Sequence, residues 1–105
     1  MIHGLQFPSQ VSGSFTSAAT AVAETVTLGF RPSKVEFVQN SGGTNPNMHI
    51  GFDEKTAGDN LLLTGSTGVV TREADASGIT ISDTGFTVAA AAQTNSGRNL
   101  WTAWR

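Results

Sequence analysis

From residue 22 onward, apolar and polar residues alternate in short runs, and clusters of turn-forming residues separate the runs. Alternation of period two lines one face of a pleated strand; a helix would repeat its apolar positions every three to four residues. Val22, Val26, Leu28 and Phe30 share a face interrupted by Glu24, and the chain turns at Arg31-Pro32-Ser33, where Pro32 ends the strand. Val35 and Phe37 share the next face, with Val38 on the other. Residues 40–47 are all turn formers and read as a loop. Met48, Ile50 and Phe52 alternate with Asn47, His49 and Gly51, which predicts an inward apolar face and an outward His49. Residues 53–60 read as a polar loop, Leu61 to Leu63 as a short buried run closed by Gly65 to Gly68, and Val69 to Arg72 as a short strand. Ile79 and Ile81, then Phe86 and Val88, flank Ser82-Asp83-Thr84-Gly85 and predict a hairpin over 79–90, with Gly85 supplying the turn's backbone freedom. No long segment has helical spacing with caps, and the Ala89 to Ala92 run lies between strand and loop. Seven or eight short strands, with turn signals roughly every 8 to 14 residues, predict an all-β antiparallel sandwich or barrel.

The segment before residue 22 differs. It carries no charge apart from His3, and residues 9–21 are almost all small or polar, with Val11 and Phe15 as isolated apolar anchors. This predicts an extended N-terminal arm over 1–21, either a disordered leader or, as its low charge and spaced apolar residues favour, an arm lying on a neighbouring subunit, and a β-sandwich domain over 22–105. The opening Met-Ile-His-Gly-Leu-Gln-Phe-Pro lacks a basic region followed by a long apolar stretch, so it does not read as a signal peptide. No run approaches the ~20 apolar residues of a membrane-spanning helix.

The 105 residues include six Lys/Arg and eight Asp/Glu, 13% of the chain. That is about half the usual share of roughly 25%. With a net charge of −2 and no basic cluster beyond Arg31 and Lys34, phosphate neutralisation has nothing to work with. Nucleic acid and anionic membranes are therefore not expected as partners. Polarity comes from Ser, Thr, Asn, Gln and Gly, which make a surface that another protein or a sugar desolvates easily. There is no cysteine, so disulfides and thiolate chemistry are excluded.

Catalytic residue types are few. His3 and His49 are the only neutral-pH bases, one in the arm and one on a strand. Asp53, Glu54, Asp59 and Asn60 gather acidic and amide oxygens near one loop, but without the alternating rhythm of a calcium loop and with Lys55 among them. Gly42-Gly43 and Gly65 to Gly68 do not lead into a helix with a phosphate-binding lysine. Glu24 and Glu36 form no recognisable acid–base pair. No enzyme activity, metal or cofactor is expected. The aromatics carry more. Two residues that differ by an odd number point to opposite faces of a strand, so one of Trp101 and Trp104 faces outward, near Arg98, Asn99 and Arg105. An outward tryptophan there suits a protein interface or a sugar platform. The candidate partner-binding residues are Phe7, Val11 and Phe15 in the arm, and Trp101, Trp104 and Arg105 at the end of the chain.

Two segments resemble a known group. Thr27-Leu28-Gly29-Phe30-Arg31-Pro32-Ser33-Lys34-Val35-Glu36-Phe37-Val38 resembles the opening of small tailed-bacteriophage virion proteins, and residues 78–88, Gly-Ile-Thr-Ile-Ser-Asp-Thr-Gly-Phe-Thr-Val, resemble their hairpin. The closing Trp101-Thr102-Ala103-Trp104 is similar to the final strand of that group, and the whole pattern is also similar to the H-type lectin domain. The resemblance implies a sandwich of jelly-roll or H-type-lectin kind and a capsid decoration (cement) protein. Such a protein would be made in the host cytoplasm and sit on the outside of the virion, most naturally as a homotrimer. It would bridge neighbouring major capsid proteins, with the arm as clamp and several weak contacts adding up. The alternatives it implies are a carbohydrate- or receptor-binding module of a tail fibre, or another small tail or collar protein.

Overall fold

The computed structural model describes residues 9–40, 46–53 and 60–105. His3 and Phe7, the Gly42-Gly43 pair, and Glu54, Lys55 and Asp59 lie outside the described residues. Nine strands follow one another: β1 (Gln10–Thr16), β2 (Glu24–Thr27), β3 (Lys34–Asn40), β4 (Asn47–Phe52), β5 (Asn60–Leu63), β6 (Val70–Glu73), β7 (Ile79–Ser82), β8 (Gly85–Val88) and β9 (Arg98–Trp104). Single 3-10 turns stand at Asp75–Ser77 and Ala90–Ala92. The strands form two antiparallel sheets, a six-stranded one in the order β1-β9-β3-β4-β5-β6 and a three-stranded one in the order β2-β8-β7. The fold is an all-β antiparallel sandwich, as the alternation predicts.

The core lies between the sheets. Val35, Phe37 and Ala103 face inward from the large sheet, and Ile79, Phe86 and Val88 from the small one, all essentially without exposure. Phe15, Val26, Leu28, Ile81 and Trp101 pack around them. The Trp101 indole meets the Phe86 ring edge-on at 5.3 Å, and Phe15 stacks on Phe37 at 5.8 Å. Offset and edge-on pairs are the arrangements that aromatic quadrupoles favour.

Three expectations need correction. The first is the arm. Residues 10–16 are β1, paired with β9 along the whole strand from Gln10↔Trp104 to Thr16↔Arg98. The folded unit therefore starts well before residue 22. The segment that follows is tied down by a buried polar chain: Asn99 Nδ2 donates to Ser17 Oγ, Ser17 Oγ to Gln93 Oε1, and Gln93 Nε2 to the Val22 carbonyl, each at 2.8 Å. Hydrogen-bonding partners 70 or more residues away make this segment part of the sandwich without many apolar side chains.

The second is Gly85. It is not in the turn but is the first residue of β8, and a Cβ there would lie 2.0 Å from the Val26 carbonyl oxygen. Glycine is needed because β2 passes so close, not because of its dihedral freedom. That freedom is used at Gly29 and Gly68, with φ of 84° and 71°.

The third concerns β4. Its inward residues are His49 and Gly51, and Met48, Ile50 and Phe52 face outward. Pairing decides this: Phe37, whose ring fills the core, stands opposite His49, and Val35 opposite Gly51.

Phe86→Ala removes a fully buried ring at the centre of both layers. It should lower the unfolding free energy by about 3–5 kcal/mol, read from the midpoint and slope of urea denaturation; a loss below 1 kcal/mol would contradict the core as described.

Candidate interaction surface

The outward face of the large sheet follows from the same alternation that fills the core. Because Phe37 and Val35 point in, Val38, Glu36 and Lys34 point out, and the register carries this parity to the neighbouring strands. One row crosses five strands with apolar residues only: Leu100 opposite Val38, Val38 opposite Met48, Met48 opposite Leu63, Leu63 opposite Val70. At the usual strand spacing this row is about 20 Å long. Ile50 and Leu61 stand opposite one another in the next row. Lys34 separates Phe52 from Trp104 in the third, with its Nζ 4.7 Å from the Trp104 ring centre. Val70 is 59% exposed, Leu100 42% and Phe52 37%. A shallow pocket of about 210 Å³ lies on β3 and β9, lined by Glu36, Val38, Leu100, Trp101 and Thr102. Contiguous exposed apolar patches on a protein surface, when large, ordinarily mark an interaction site.

Charge on this face is low. Glu36 is paired with Lys34 at 3.1 Å, and Arg72 and Arg98 stand toward its margins. The outer face of the small sheet is different in kind, presenting Thr25, Thr27, Thr80 and Ser82, with Thr25 and Thr87 hydroxyls 3.1 Å apart.

The structure divides the expected partner-binding residues. Val11, Phe15 and Trp101 face the inside of the sandwich, where Phe15 and Trp101 belong to the packing around the core. Trp104 is the outward tryptophan. Arg105 is exposed beyond β9; its backbone N–H donates to the Ser9 carbonyl at 3.0 Å, and its guanidinium lies 5.8 Å from the Phe30 ring centre. Sequence reasoning missed the apolar row. Its signal was the presence of apolar residues at both parities, Phe37 with Val38 and Leu61 with Leu62 and Leu63, which marks a sheet apolar on both faces.

Besides the Asn99–Ser17–Gln93 chain, two further groups of polar residues join the sheets. His49, only 3% exposed, holds Glu73 Oε1 at 2.6 Å from its Nδ1, and a contact so short requires one proton between the two atoms. The His49 ring lies 5.9 Å from that of Phe37, and its Nε2 has no hydrogen-bond partner. Asn60, fully buried rather than in a loop, donates through Nδ2 to the Ile79 carbonyl at 2.8 Å. Gly78 leaves room for this cluster, since a Cβ there would lie 2.4 Å from Glu73 Oε1. The cluster binds the far strands β4, β5 and β6 to β7. At the surface, Arg31 bridges Asp53 and Asp83 at 2.8 and 2.9 Å, joining β4 to the β7–β8 turn. The hydrogen bond to Asp53, then that to Asp83, holds the Arg31 proton more tightly than in a free guanidinium. Glu24 and Glu36 lie on different sheets. Among the described residues, no three His, Cys, Asp or Glu side chains converge on a point where a metal could sit.

Compared with protein-family models, curated proteins and solved structures, the chain finds no match in any of the three.

Glu73→Ala leaves the buried His49 Nδ1 without its hydrogen-bond partner and should cost about 1–3 kcal/mol. Replacing both partners, His49→Leu with Glu73→Met, should cost less than the two single changes added together, because neither leaves the other unpaired. Urea denaturation of the four proteins of this cycle measures the coupling; strict additivity would show that the pair is not one unit.

Proposed function

We propose that the chain is a structural protein of a bacteriophage particle, a capsid decoration protein that binds the major capsid shell as an oligomer and works by adhesion. The observation that carries this reading is the apolar row from Leu100 to Val70 on the outer face of the large sheet. A broad sheet face of this kind, with a shallow pocket on β3 and β9, fits a protein surface better than a small molecule, which is ordinarily enclosed on most of its area. Sparse charge fits the same use, since little solvation is lost when the face is covered. The segments around Phe30 and Gly85 that resemble virion proteins supply the context of a phage shell.

The partner is the major capsid protein, and the mechanism is additive. Each copy contributes a modest contact, and linkage between copies turns the second contact into an intramolecular event. A glycan-binding role on a tail fibre has less behind it. Trp104 is the outward tryptophan, but Lys34 covers its ring, so that ring face is not open for sugar stacking.

Val38→Asp and Met48→Asp each place a charge in the middle of the apolar row. Co-sedimentation of the purified protein with undecorated capsids of the encoding phage should fall about tenfold or more in either variant, as for loss of a central interface residue. The fold should lose only about 1 kcal/mol, because both side chains face outward. Unchanged co-sedimentation of both variants, or none by the unaltered protein, would refute the reading.

A further inference from the structure

β1 stands at the edge of the large sheet, and among the described residues no strand lies on its other side. The direction of its amides follows from two hydrogen bonds at its ends. Ser9 accepts from the Arg105 N–H at 3.0 Å, and Ser17 donates to the Gly97 carbonyl at 2.8 Å. Backbone groups alternate in direction along an antiparallel strand. Val11, Gly13 and Phe15 therefore aim theirs at β9, while Gln10, Ser12, Ser14 and Thr16 aim theirs away from the sheet. Proteins ordinarily blunt such an edge with a lysine, a proline, a bulge or a very short strand. β1 has seven residues, no charge, no proline and an unbroken register with β9.

We infer that this edge pairs with the same edge of a second copy, antiparallel about a two-fold axis at Gly13, joining two six-stranded sheets into one. The occupant follows from the sequence of the strand, Gln-Val-Ser-Gly-Ser-Phe-Thr, which is a palindrome of residue class centred on Gly13. An isologous contact requires that kind of self-complementarity, each residue meeting its counterpart twice. Gln10 comes opposite Thr16 of the partner copy, Val11 opposite Phe15, Ser12 opposite Ser14, and Gly13 opposite itself. Apolar residues then meet on the inner face and hydroxyls on the outer one, and no like charges face each other. The hydrogen bonding agrees independently. In this register every outward-aimed residue faces an outward-aimed residue, so each pair exchanges both of its bonds, whereas a slip by one residue would set outward groups against groups already bonded to β9.

Trp101 completes the arrangement. Its indole lies over Gly13, where a Cβ would be 2.4 Å from Cζ2, so the ring extends from β9 to the open edge and remains half-buried. The indoles of the two copies meet over the axis and cover one another. A glycine at the axis is required by the ring that occupies its side-chain space.

This pairing rests on the self-association part of the proposed function, gives it as two copies in place of the homotrimer that the resemblance implies, and is independent of the shell. Light scattering on the full chain should give the mass of two copies. In amide hydrogen exchange, Ser12 and Ser14 should be slowed about tenfold or more at high protein concentration relative to dilute protein, as pairing closes their amides to water. Ser14→Pro removes an outward donor and leaves the β1–β9 ladder intact; it should give the mass of one copy with an unaltered circular dichroism spectrum. A single-copy or three-copy mass for the unaltered protein, fast exchange at Ser12 and Ser14 at all concentrations, or a dimer that persists in folded Ser14→Pro overturns the pairing. The exchange measurement decides even where the variant does not fold. Two copies that fail to bind capsids would sink the decoration role alone, and one copy that binds them would sink the pairing alone.

Discussion

Everything in the large sheet hangs on β9. It is paired along its full length on both sides, with β1 on one and β3 on the other, and no strand separates these two except β9 itself. Its inward residues Asn99, Trp101 and Ala103 contribute a buried polar link, an aromatic contact and a close-packed floor. Its outward residues Leu100 and Trp104 open the exposed face. One strand thus sets the core, the exposed apolar face and the position of the sheet edge. Since its partners are far away in sequence, the sheet closes only after long loops have been ordered, which predicts folding that is slow for the chain's size.

Much of this architecture could be read from residue order. The Ile79–Ile81 and Phe86–Val88 alternation is a hairpin because nothing outside it is needed to pair those strands. The opposite orientation of Trp101 and Trp104 follows from parity alone, and is observed. What could not be read depends on partners remote in sequence. β1 looks like a polar leader because Gly13 leaves a gap in its apolar alternation, and the reason for the gap is an indole 88 residues later that fills the space. His49 looks outward because its neighbours Met48, Ile50 and Phe52 are apolar. It is inward because Glu73, Asn60 and Gly78 make a polar niche for it between the sheets. Gly85 looks like a turn residue, and its actual requirement comes from the Val26 carbonyl in another strand.

Unequal sheets make the molecule two-sided. The small sheet covers the inner face of the large one, and the two outer faces are left with opposite chemistry. One is a hydroxyl lattice of Thr and Ser that water solvates well; the other is an apolar row with few charges. Such a division favours one side for contact and the other for solvent. It also explains how a chain with so little charge keeps a polar exterior, since hydroxyls on strands supply the hydration that lysines and glutamates supply elsewhere.

The antiparallel pairing of β1 with β9 sets Gln10 beside Trp104, and Ser9 hydrogen-bonds to Arg105. Ser9 and Arg105 therefore stand at the same corner of the sandwich. A tensile load applied through them would not shear the ladder, breaking its rungs together, but would peel it open from that corner one rung at a time. The sandwich is mechanically soft along that path. A load that enters through the broad face of the large sheet acts differently: it presses the two layers of the sandwich together and does not pull on that ladder.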